Sequence, residues 1–70
     1  MANLTSPMPG KVMAIKVAVG DKVEVEDELI ILEALKMETP IYAEDAGTVA
    51  AIKVKEGEAV KVGDVLVVIE

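Results

Sequence analysis

The sequence predicts an all-β fold, a flattened barrel or sandwich of about eight short antiparallel strands in two quasi-symmetric halves. Three observations predict it. The first is an internal repeat: GKVMAIKVAVGDKVEVEDELIILE (residues 10–33) lies without a gap over GTVAAIKVKEGEAVKVGDVLVVIE (residues 47–70), and half of the aligned positions are identical. The second is apolar patterning at period two, interrupted by regular turn signals. The third is vocabulary: the chain is 53% hydrophobic with Tyr42 as its one aromatic residue, so a core must be assembled from Val, Ile, Leu, Met and Ala.

Taken in order, a short extended segment around Leu4 opens the first half, and the repeat pairs it with a second one around Ile41. Pro7, Pro9 and Pro40 lack the backbone N–H of a sheet ladder and fit only strand edges or connections. Within each half the pattern alternates at period two, as in VEVE (residues 23–26), while ELIILE (residues 28–33) is a short continuous apolar run, and both read as strands. The second half repeats these elements and ends on VLVVIE (residues 65–70). VGDK, EGEA and VGDV mark turns, with Gly20 and Gly57 at equivalent points where a connection requires positive φ. Helix is disfavoured because the runs are short and rich in β-branched residues. Neither half is large enough to bury its apolar face alone, so residues 1–70 are expected to form one domain.

Symmetry gives Lys36 its place. It lies between the last strand of the first half, ending near Glu33, and the first strand of the second, beginning near Met37. The counterpart of Glu33 is Glu70, where the chain stops, so Lys36 has no equivalent. A hairpin turn at the end of the domain opposite the two termini is expected there.

Charge and composition exclude several functions. Thirteen acidic residues against seven lysines give a net charge of −6, which repels nucleic-acid phosphates. No run approaches the roughly 18 apolar residues that cross a bilayer, so direct membrane insertion is not expected, and MANLTSPMPG lacks the features of a signal peptide. There is no cysteine and no histidine. Thr5, Ser6, Thr39 and Thr48 therefore have no imidazole base, and no metal triad can be assembled, so neither catalytic residues nor metal ligands are expected. Glu24, Glu26, Asp27 and Glu28 lack the spacing of a calcium loop and read as a solvated strand face.

EALKMET (residues 33–39) holds Lys36 between two large apolar residues, where a plain tight turn would use Gly, Asn or Asp. This segment resembles the EAMKM signature of biotinyl carrier domains, whose central lysine is modified, and SPMPG (residues 6–10) resembles the opening of biotin carrier segments. The repeat, the strand pattern and the hairpin lysine match that family over nearly the whole chain. It departs at Leu35, where the family usually has methionine; leucine keeps the volume and apolarity and loses the flexible thioether.

The resemblance implies a barrel-sandwich hybrid fold with biotin bound covalently to Lys36, and Glu33, Ala34, Leu35 and Met37 read by a biotin protein ligase. It further implies a non-catalytic carrier that moves a carboxyl group between the biotin carboxylase and carboxyltransferase sites of a carboxylase, transcarboxylase or decarboxylase. The expected compartment is cytoplasmic, or the mitochondrial matrix in a eukaryote. Some acetyl-CoA carboxylase carriers insert a protruding thumb in the first half; the ungapped repeat leaves no room for one between Val17 and Val23. An exposed lysine is protonated at neutral pH, so the ligase must supply biotinyl-adenylate and assist deprotonation.

Other readings stand beside this one. Met37 can be a packed residue as well as a recognition residue, and Glu33 can be a plain solvated carboxylate. Lipoyl domains share the fold but usually place an acidic residue before the lysine and a small one after it, a preference that Leu35 and Met37 both break. A lipoyl carrier of a 2-oxo acid dehydrogenase complex and an unmodified structural adaptor domain of the same fold are the two alternatives.

Overall fold

Eight strands follow one another in the order β1 (Ala2–Thr5), β2 (Gly10–Ile15), β3 (Lys22–Val23), β4 (Glu28–Ala34), β5 (Met37–Tyr42), β6 (Gly47–Ile52), β7 (Ala59–Val60) and β8 (Val65–Ile69). They come from a computed structural model that describes residues 2–70. The strands form two four-stranded antiparallel sheets, ordered β1-β8-β6-β3 and β5-β4-β2-β7. Advancing each strand of one sheet by one repeat gives the order of the other, so the sequence repeat is a pseudo-two-fold of the fold.

Alternation decides most of the side chains that lie between the sheets, with Leu29–Ile30 and Leu66–Val67 as consecutive buried pairs. Val12, Leu29, Ile30, Leu32, Val49, Leu66 and Val67 are almost completely buried, each worth about 1.5–3 kcal/mol for the larger side chains. The core is purely aliphatic, as the vocabulary requires; Tyr42 stays half exposed. Each half carries a bulge at the same place, between Val12 and Ala14 in β2 and between Val49 and Ala51 in β6. Pro40 lies in β5, an edge strand, where its missing N–H removes no ladder bond.

Four turns share one design. In Ala18–Asp21, Glu24–Asp27, Lys55–Glu58 and Lys61–Asp64 the fourth residue donates its N–H to the first residue's carbonyl at 3.0–3.1 Å. Its carboxylate accepts the first residue's N–H in return, at 2.9–3.1 Å. The third residue has positive φ: Gly20 at 97°, Gly57 at 90° and Gly63 at 89°, but Glu26 at 76°. The expectation for Gly20 and Gly57 holds. The strand expected over Val23–Glu26 is a correction, because β3 ends at Val23 and Glu24–Asp27 is a turn. Glu24, Glu26 and Asp27 therefore do not form a strand face: the apparent alternation comes from the turn, whose fourth residue uses its carboxylate as a cap.

Gly10 and Gly47 match for a different reason. A Cβ on Gly10 would stand 2.8 Å from the Glu33 carbonyl oxygen, and one on Gly47 would meet the Glu70 carbonyl oxygen and lie 2.7 Å from Ile69 Cγ2. Each glycine lets the final strand of its half approach the backbone closely.

Candidate functional site

Lys36 and Leu35 are the two loop residues of the β4–β5 hairpin. Ala34 pairs with Met37 to close it, and the register continues through Glu33 with Glu38 and Leu32 with Thr39. A two-residue connection in the type I′ conformation, with positive φ at both positions, matches the twist of its strands. Leu35 (φ 54°) and Lys36 (φ 63°) adopt it, at about 1–2 kcal/mol each for an L-residue with a full side chain.

Burial does not repay that strain. Leu35 is 95% exposed and Met37 68% exposed, so neither is a core residue; for Met37 this removes the packed reading. Two apolar side chains are thus presented to solvent on either side of an exposed lysine, on backbone that is held in an uncommon conformation. Two consecutive strained residues in one exposed turn, where Glu26 is the one other non-glycine residue at positive φ, form the pattern seen where a segment is shaped for a partner. Ala34 is half-buried, with its Cβ close to Gly10, so a larger residue there would press on that close approach.

Both ends of the hairpin can be placed in the domain. At the far end of β5 from Lys36, Tyr42 leads through residues 43–46 to Gly47, which abuts Ile69 and Glu70, and Ala2 pairs with Ile69. The chain ends therefore lie opposite Lys36, as expected. The domain measures 30 × 18 × 17 Å.

Glu33 and Glu38 are both exposed and directly opposite one another, and Lys11 pairs with Glu33 from the other side. Sequence reasoning singled out Glu33 but not Glu38, because facing across the hairpin depends on a register that spacing alone does not give. Two surface hollows, of about 340 and 300 Å³, lie at the termini and between β1 and β5; Lys36 lines neither. Among the described residues no group of three or more His, Cys, Asp or Glu side chains is placed to hold a metal ion. No helix there is long and apolar enough to cross a membrane. What the site offers chemically is one exposed primary amine, suited to forming an amide with a carboxylic acid.

Comparisons with known proteins bear on the family and the fold. A profile of the family described as "Biotin-requiring enzyme" matches residues 2–69. The chain is 51% identical over 39 residues to the gamma subunit of glutaconyl-CoA decarboxylase from Acidaminococcus fermentans, covering 56% of this chain and 27% of that subunit. It is 48% identical over 46 residues to the biotin carboxyl carrier protein of Streptococcus mutans, covering 66% and 35% respectively. It is 50% identical over 46 residues to the mitochondrial pyruvate carboxylase of Mus musculus, covering 66% and 4%. The match thus spans well under two thirds of each relative. Among solved structures, the urea carboxylase of Kluyveromyces lactis superposes with a TM-score of 0.92 at 39% identity, over 99% of this chain and 6% of that one. A single-chain, multi-domain long-chain acyl-CoA carboxylase does so with a TM-score of 0.88 at 29% identity, over 94% and 7%.

Proposed function

The chain belongs to the family of biotin-requiring enzymes, and from that membership we propose that Lys36 is its one site of biotin attachment. Within the family its part is that of a biotin carrier, non-catalytic by itself, with biotin as covalent cofactor. The observation that carries the assignment to Lys36 is the strained, fully presented turn at the end of the domain farthest from the termini.

In attachment, the neutral Lys36 Nζ attacks the acyl carbon of biotinyl-adenylate held by a biotin protein ligase. The C–N bond forms, AMP leaves, and a proton is released. Leu35 and Met37 supply apolar contacts to the ligase, and Glu33 and Ala34 complete the surface it reads. Bound there, biotin supplies a carrier for a carboxyl group. The domain's own contribution is position: its hairpin leads, so a tethered carrier reaches a biotin carboxylase site and a carboxyltransferase site without dissociating into bulk solvent. The parent assembly is a carboxylase, transcarboxylase or decarboxylase, working in the cytoplasm or, in a eukaryote, the mitochondrial matrix. A lipoyl carrier is disfavoured, since Leu35 and Met37 break the flanking preference of lipoyl domains.

Co-expression with a biotin protein ligase, followed by intact mass and peptide mapping, tests the assignment. One biotinyl group is expected, on Lys36. Lys36→Arg should keep the circular dichroism of the fold and lose all labelling, because the guanidinium stays protonated. Label on Lys16, Lys53 or Lys61 would overturn it.

A further inference from the structure

Across the outer face of the second sheet, β2, β4 and β5 place Lys11, Glu33 and Glu38 in one row by direct pairing. Glu33 has an opposite charge on one side and a like charge on the other. Glu38 is on the edge strand, with Glu33 as its one cross-strand neighbour, and both are exposed. Like charges directly opposite oppose strand pairing, so this arrangement weakens the hairpin that Lys36 caps. A second cost thus falls on the segment that already holds Leu35 and Lys36 in left-handed backbone. Glu38 follows Met37, and through its pairing it borders the same turn as Glu33.

We infer that Glu38 is a specificity-determining residue for modification of this domain, presenting its carboxylate to a cationic side chain of the biotin protein ligase. The inference rests on the reading of Lys36 as the modified residue. Lys11 stands opposite Glu33 across the sheet, which leaves Glu38 as the carboxylate of the row with no cationic residue opposite it. A partner's lysine or arginine approaching the hairpin edge would relieve the repulsion and gain an opposite charge in one step. Charges at the rim of an interface act through encounter and register, so the effect belongs in KM and in salt dependence, with kcat unmoved. Glu38 is a positioning residue; it takes no part in the amide-forming step.

The test uses the whole domain as substrate for a purified biotin protein ligase with biotin and ATP. Glu38→Gln is expected to raise KM about three- to fivefold at low ionic strength with kcat unchanged, the range of an exposed ion pair. The difference should shrink as salt is added. Glu38→Asp, which keeps the charge, should stay near the wild-type KM. Glu28→Gln removes the same charge from the opposite end of the same hairpin, beside Tyr42, and should leave KM unchanged. Thermal melting should show Glu38→Gln at least as stable as the wild type. An unchanged KM for Glu38→Gln, a loss confined to kcat, or an equal rise for Glu28→Gln would each overturn the inference. Absence of label on wild-type Lys36 would instead refute the attachment site itself, so the two failures are distinct.

Discussion

At the hairpin end of the domain the turns Lys55–Glu58 and Lys61–Asp64 carry two lysines among their carboxylates. At the end where the termini pair, the equivalent turns Ala18–Asp21 and Glu24–Asp27 carry Asp21, Glu24, Glu26 and Asp27 with no cation. The hydrogen bonds that build the two pairs of turns are the same. What the ends share is what the scaffold demands: an acid at each fourth position, positive φ at each third, and a side-chain-free residue at Gly10 and Gly47. What they do not share is free to serve a partner. The largest asymmetry of all is the β4–β5 hairpin, whose counterpart is the paired chain ends.

The strongest way to break this division is to attack a shared position. Gly47→Ala should destabilise the domain by at least about 2 kcal/mol, in the range of overpacking, since its Cβ would meet both a carbonyl oxygen and Ile69. Gly10→Ala should cost less, because its main conflict is a single backbone oxygen at 2.8 Å. Urea melts of both variants check the order. If neither midpoint moves, the close approach is not what fixes these glycines.

An asymmetric position should behave the opposite way. Leu35→Asp with Met37→Ala is expected to cut biotinylation at least about tenfold, equivalent to roughly 1.4 kcal/mol, and to permit detectable lipoylation by a lipoate ligase. Stability should hold, because Leu35 and Met37 are largely exposed and Asp tolerates left-handed backbone better than Leu. Initial rates with each ligase, beside circular dichroism, decide the matter. Equal biotinylation rates would mean that the ligase reads some other surface.

Much of this was legible before any coordinates. The repeat and the aliphatic runs gave the two halves, and the gap between Glu33 and Met37 gave the hairpin, because both signals are carried by residues whose chemistry has a single structural use. Val23–Glu26 misled because a turn with alternating residue types imitates a strand; Asp27, aligned with Asp64 and followed by another apolar run, was the cue that a capped turn lay there. Gly10 and Gly47 were visible as a pair but not as a close approach, which depends on the partner strand's backbone. Glu38 was visible as a neighbour of Lys36 but not as the residue facing Glu33, which depends on register.

The finest test lies at the third positions of the four turns, where the scaffold's demand is met by glycine three times and by Glu26 once. Gly20→Val and Gly57→Val should each lose about 1 kcal/mol or more, entirely through backbone strain, since nothing lies within 4 Å of either added Cβ. Glu26→Gly runs the same experiment backwards with a smaller result. It releases about 1–2 kcal/mol of left-handed strain but returns about 0.4–1 kcal/mol of freedom to the unfolded chain. A net gain of about 0.5 kcal/mol is expected, read as a raised denaturation midpoint at constant slope. Removing a carboxylate from a chain of charge −6 could raise stability by itself, so Glu26→Gln, which loses the charge and keeps the strain, is the control. If Glu26→Gln gains as much as Glu26→Gly, repulsion governs that turn; if Glu26→Gly loses stability, the Glu26 side chain contributes more to the terminal end than its backbone takes away.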